Sequence, residues 1–197
     1  MSDSLLLHVC CAPCMIYPLG VLREHFTTIT AYFYNPNIHP YREFQKRKDC
    51  LVEFCEREKI ARVIDEQYGM REFLRAVVFH ENERCAICYT IRLQQCARFA
   101  RDNGFKQFST TLLYSKYQNH VKIIEIGRDA AQANGIEFYY EDFRLGWQQG
   151  IEESKKQEMY RQSYCGCVYS EQDRYDKSAK RGSEHGSVNR SGVKQQK

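Results

Sequence analysis

Residues 4–14 read SLLLHVCCAPC. The run SLLLHVC has the composition of a β-strand, and Pro13 stops the chain from continuing as one. Cys14 is expected to open the helix that follows, where unpaired backbone N–H groups favour an anionic ligand. The stretch is thus strand, turn and helix, with sulfur presented at the turn. Four further β-rich runs follow: TTITAYFY (27–34), IARVID (60–65), FKQFSTTLL (105–113) and IEFYYEDF (136–143). Between and after them, residues 15–26, 42–59, 70–80, 86–103, 120–134 and 147–160 have helical composition and spacing. This alternation predicts an α/β doubly wound fold, a mostly parallel sheet with helices on both faces. In such sheets functional residues gather beyond the carboxyl ends of the strands, where the strand order reverses. Cys10 and Cys11 fall at the end of the first strand, and Ser109–Leu113 at the end of the fourth.

Seven of the ten cysteines lie in three tight groups: Cys10, Cys11 and Cys14; Cys85 and Cys88 in RCAICY; Cys165 and Cys167 in YCGCVYS. Thiolates repel one another, so such grouping points to a metal that neutralises them. On a helix Cys85 and Cys88 share a face, and Gly166 permits a tight turn between Cys165 and Cys167. Seven thiols exceed the four that close a structural zinc site or hold one iron–sulfur cluster, which suggests a second metal or a redox-active thiol. Cys96 continues a helical stripe with Tyr89, Leu93 and Ala100 and reads as core. Cys50 and Cys55, about 140° apart around a helix of ~3.6 residues per turn, are poorly placed to share a metal.

The chain has 197 residues, of which 43% are hydrophobic and 27% charged, enough for one domain with a full core. Nothing approaches the ~20 apolar residues of a membrane span, and the start MSDSLLLHVCC has an acidic residue where a signal peptide needs a basic one. A reducing cytoplasm is the expected location, where clustered cysteines bind metal or work as redox groups instead of forming disulfides. The net charge of +4 is unevenly spread, because residues 177–197 hold six Lys or Arg against one Glu. Residues 1–176 are therefore expected to form a single, nearly neutral catalytic domain, and 177–197 a basic disordered tail.

With these groups placed, the chain resembles the cobalamin-independent epoxyqueuosine reductases of the QueH type. The resemblance rests on LLLHVCCAPC, YNPNIHPYREFQKR, RCAICYTIRL, FSTTLLYSKYQNH and FRLGWQQGIEESKKQEMYRQSYCGCVYSEQDRY, and it extends to about residue 175. It implies an adenine-nucleotide alpha-hydrolase-like, Rossmann-like fold and reduction of epoxyqueuosine to queuosine at the tRNA wobble position. It further implies a [4Fe–4S] cluster and an adjacent mononuclear iron, with Cys10, Cys11, Cys85, Cys88, Cys165 and Cys167 on the family's metal-binding motifs. The position of Cys14 can be aspartate in relatives, which points Cys14 toward the second iron. Its partners would be a tRNA anticodon loop carrying epoxyqueuosine and an electron-donor protein or other reductant. ATP-using relatives of this fold carry a glycine-rich loop where this chain has CCAPC, which disfavours nucleotide hydrolysis.

Removing the epoxide oxygen as water takes two electrons and two protons, and Tyr164, Asp142 and His39 are candidate proton donors. Arg42, Lys46, Arg47, Lys48, Lys155, Lys156 and Arg161 are candidate phosphate contacts. Tyr17, Tyr34, Tyr117 and Trp147 are candidates for stacking on a splayed base. A noncatalytic zinc-stabilised RNA-binding module is the alternative that the cysteine groups alone permit.

Overall fold

A computed structural model describes residues 4–176. Five strands, β1 (Ser4–His8), β2 (Thr28–Phe33), β3 (Ala61–Ile64), β4 (Gln107–Thr110) and β5 (Glu137–Phe138), form one sheet in the order β3-β2-β1-β4-β5. Every pairing is parallel. The helices are α1 (Ile16–Leu22), α2 (Tyr41–Arg57), α3 (Met70–Val77), α4 (Arg84–Asp102), α5 (His120–Asn134), α6 (Trp147–Lys156) and α7 (Val168–Tyr175).

β1 is the central strand, and Leu5, Leu6 and Leu7 are all fully buried. Successive strand residues point to opposite faces, so both faces of the sheet are covered, as a doubly wound fold requires. The chain runs outward from β1 to β2 and β3, then returns to the other side of β1 as β4 and β5. The order reverses between β1 and β4, so a crevice opens beyond the ends of these two strands. His8, fully buried, ties the crevice floor together. Its Nε2 donates to the Tyr34 carbonyl at 3.2 Å, and its Nδ1 lies 2.9 Å from Thr110 Oγ1. Burial lowers the pKa of His8 to about 4, which keeps the ring neutral in the core.

The differences from the expected elements lie at their ends. α1 begins at Ile16 and is only seven residues long, so Cys14 sits in the turn before the helix instead of opening it. β4 stops at Thr110, and Thr111–Tyr114 turn into a 3-10 segment capped by the Thr110 hydroxyl. β5 shrinks to two residues, with residues 143–146 forming another 3-10 turn. α6 ends at Lys156, and α7 has no counterpart among the expected helices. The expected tail of 177–197 lies outside the described residues.

Candidate active site

The turn after β1 places three thiols together, with the Sγ atoms of Cys10, Cys11 and Cys14 all within 4.8 Å of one another. Cys11 and Cys14 sulfurs are 2.8 Å apart, and Cys10 and Cys11 sulfurs 3.9 Å. Thr111, just past β4, fixes the first of them: its Oγ1 accepts the Cys10 N–H at 3.1 Å and donates to Cys10 Sγ at 3.4 Å. Hydrogen bonding from Cys11 and Cys14 pulls the Cys10 thiol well below the ordinary range. Burial pushes Cys11 well above it, and hydrogen bonding to Cys10 raises Cys14. Three thiols this close cannot all ionise unaided, because like charges repel. A cation that neutralises all three would remove that restriction, and sulfurs on one tetrahedral metal at ~2.3 Å lie roughly 4 Å apart, so this donor set suits a single ion.

A second group forms where the start of α4 meets the loop before α7. Cys85, Cys88, Cys165 and Cys167 are electrostatic neighbours, and buried Cys88 and Cys167 pack with Phe73 and Val77 of α3. Burial raises the Cys88 thiol to about 12 and also raises Cys85. The loop that carries Cys165 and Cys167 is anchored by Arg47 of α2, only 1% exposed. Its Nη1 and Nη2 donate to the carbonyls of Cys165 and Tyr164 at 2.8 and 3.0 Å, and its Nε pairs with Glu43 at 2.7 Å. Gly166 has φ +149°, and a Cβ there would lie 3.0 Å from Asn37 Nδ2 and 3.4 Å from Arg47 Nη1. Both the backbone conformation and the close approach call for glycine.

Between the two groups lies a cavity of about 680 Å³ whose wall includes Cys10, Cys14, Cys165, Arg92, Gln162 and Tyr164. Two amides point at sulfur: Gln162 Nε2 donates to Cys11 Sγ at 2.8 Å, and Gln118 Nε2 to Cys165 Sγ at 3.1 Å. Arg92, on the buried face of α4, is 2% exposed and donates from Nε to the Cys88 carbonyl at 3.3 Å. At the cavity mouth stand Lys116, Arg161 and Arg174, with the Tyr117 and Trp147 rings edge to face at 5.5 Å. Lys116 Nζ lies over both rings, 5.5 and 5.4 Å from their centroids.

The seven grouped cysteines divide into a set of three, which reaches the cavity wall through Cys10 and Cys14, and a set of four, which reaches it through Cys165. Of the proposed proton donors, Tyr164 lines the cavity, and its hydroxyl donates to the His39 carbonyl. His39 is buried, donates from Nε2 to the Pro36 carbonyl at 3.1 Å, packs on Phe73, and lies off the cavity wall. Asp142 caps the 3-10 turn after β5 and is clasped by Arg144 at 2.6 and 2.7 Å. That clasp lowers its pKa and keeps the carboxylate ionised, also away from the cavity. Arg47 is not a phosphate contact, because its guanidinium is buried and fully engaged within the fold. Tyr17 packs against Gly146, where a Cβ would come within 2.0 Å of the ring, and Tyr34 stacks on Tyr32. Cys96 is core, as expected, and Cys50 and Cys55 are buried apart from both groups. Thr111 lies within the Ser109–Leu113 stretch expected at the crevice, whereas sequence reasoning missed Arg92, Gln118 and Gln162. Only Arg92 left a signal, as a cation at helical spacing between the buried Cys88 and Cys96.

The sequence profile of the family described as "Epoxyqueuosine reductase QueH" matches residues 5–173. Curated proteins of that name are similar to this chain. The one from Dehalococcoides mccartyi is 35% identical, covering 90% of this chain and 97% of its own. The one from Acinetobacter baylyi is 37% identical, with 87% and 82% covered, and the one from Thermotoga maritima 34% identical, with 89% and 94% covered. Among solved structures, the U34-tRNA thiolase NcsA from Methanococcus maripaludis with its [4Fe-4S] cluster superposes with a TM-score of 0.59. It is 14% identical over 94% of this chain and 69% of that one, a shared adenine-nucleotide alpha-hydrolase-like fold.

Proposed function

Since the chain belongs to the epoxyqueuosine reductase QueH family, we propose that the cavity between its two cysteine groups is where epoxyqueuosine at the tRNA wobble position is reduced to queuosine. The reaction converts an epoxide to an alkene and water, with two electrons and two protons taken up. The observation that carries this reading is the position of both cysteine groups on one cavity, at the point where the strand order reverses.

Cys85, Cys88, Cys165 and Cys167 would hold a [4Fe–4S] cluster, one thiolate per iron, and Cys10, Cys11 and Cys14 an adjacent mononuclear iron. When bound, these groups supply single electrons and a Lewis acid. The protein supplies the rest. Thr111, Gln118 and Gln162 orient the sulfurs, and the Thr111 hydroxyl helps to lower the Cys10 thiol. Arg47 holds the Cys165–Cys167 loop against α2. Tyr164 keeps its proton, since burial raises its pKa, and rotation of the ring from the His39 carbonyl would turn Oη–H toward the leaving oxygen. His39 and Asp142, bound elsewhere, would need larger movements to do the same. Tyr117 and Trp147 offer a stacking platform for the wobble base at the mouth, and Lys116, Arg161 and Arg174 offer charge to the flanking phosphates. The electrons would come from an electron-donor protein or other reductant, and the tRNA substrate sets the work in the cytoplasm.

Anaerobic reconstitution followed by iron and acid-labile sulfide analysis, with single turnover on epoxyqueuosine-containing tRNA, tests the reading. A brown protein that forms queuosine is expected. A colourless protein that holds only zinc and leaves the epoxide intact would replace this reading with that of an RNA-binding module. Trp147 is the only tryptophan, so quenching of its fluorescence by an anticodon stem-loop reports directly on the mouth.

A further inference from the structure

Both buried arginines lie near cysteine, but only one is paired with a carboxylate. Arg47 is paired with Glu43 at 2.7 Å. Arg92 is equally buried, yet among the described residues it takes part in no ion pair. Its Nε bonds to the Cys88 carbonyl, its guanidinium carbon lies 6.0 Å from the Tyr89 ring centroid, and its Nη2 is buried with no partner. Burying a cation in this way is strongly unfavourable unless an anion meets it. The ionisable groups that act on it are Cys88, Cys165, Cys10 and Tyr89, with His8 also within its field. Cys88 and Cys165 belong to the set of four and Cys10 to the set of three. Arg92 is therefore the cation common to both groups, and it forms part of the cavity wall between them.

We propose that Arg92 is the charge-compensating residue of the loaded site, a positioning residue whose guanidinium raises the reduction potential of the cluster and so favours uptake of each electron. This rests on the reading of the cysteine groups as iron-bearing. Among the described residues no carboxylate pairs with Arg92, whereas a cluster held by four thiolates would bring net negative charge that grows by one with each electron accepted. A fixed positive charge beside it favours the more negative, reduced form. At an effective dielectric of ~20, an elementary charge several ångströms away alters such an equilibrium by more than tenfold.

The test is a redox titration of reconstituted protein with dithionite as one-electron reductant, followed by electron paramagnetic resonance, for the unaltered chain, Arg92→Gln and Arg92→Lys. Arg92→Gln should make reduction at least tenfold less favourable, a midpoint more negative by about 59 mV for a one-electron couple. Arg92→Lys, which keeps the charge, should stay closer to the unaltered protein. An unchanged midpoint in Arg92→Gln at full iron content overturns the proposal. If Arg92→Gln lacks the fold or the iron, Arg92→Lys decides. Recovery of iron there supports a need for charge, and equal failure assigns Arg92 a packing role and overturns the proposal. An unaltered chain that takes up no iron or sulfide would instead refute the iron-bearing reading itself.

Discussion

Arg47 joins Glu43, one helical turn away on α2, to the carbonyls of Tyr164 and Cys165, which lie far along the chain. Glu43 also accepts from the Tyr160 hydroxyl. Arg47→Met would strand a buried carboxylate and release the loop, a loss of about 3–5 kcal/mol in urea unfolding. The double replacement Glu43→Gln with Arg47→Met removes both charges and should lose less than Arg47→Met alone. Among the cysteines, Cys88→Ser or Cys165→Ser should lose iron and turnover together. Cys96→Ala and Cys50→Ser should keep both, with Cys96→Ala costing roughly 1 kcal/mol for the small void it leaves. Iron assay and single turnover on each variant distinguish the sets, and equal iron loss in both would mean that the ligands have been misassigned.

α5 shows how a neighbouring element reverses a local rule. Gly127 lies in its interior, where Gly→Ala in an isolated helix gains about 1 kcal/mol. Here a Cβ would lie 2.6–2.8 Å from the Phe138 ring of β5, and overpacking of that kind costs about 1–3 kcal/mol. Gly127→Ala should therefore lower the melting temperature, whereas a helix stabilised by propensity alone would melt higher. The same contrast between local and distant information sets how much of the protein was legible in its sequence. Strand runs, helical spacing and the three cysteine groups are local patterns, and they led to the parallel sheet and to the crevice. Element ends were read less well, because the Thr110 cap on the 3-10 turn and the Cys167 cap on α7 are set by single side chains. Division of the seven thiols into three and four depends on how α4 and the 165–167 loop dock, which no local pattern encodes. Asp142 stands next to a matching segment, and only the three-dimensional structure shows it clasped by Arg144 and turned away from the cavity.

For the whole chain, the nearly neutral body of residues 1–176 and the basic 177–197 segment predict separable behaviour. Deletion of 177–197 should leave the saturated single-turnover rate unchanged and weaken tRNA binding only at low salt, since counterion release loses force as salt rises. A lower saturated rate that persists in high salt would show that the segment acts at the site. The order of the ligands along the chain bears on how the enzyme matures. The set of three is complete once residue 14 has been made, before its strand neighbours β2 and β4 exist. The set of four waits for Cys167, beyond the last strand of the sheet. During synthesis the first thiols are thus displayed early and unsheltered, open to oxidants and stray metals, whereas the second set arises only on a finished scaffold. On the proposed assignment, iron–sulfur delivery to that second set would come after every strand of the sheet has been made.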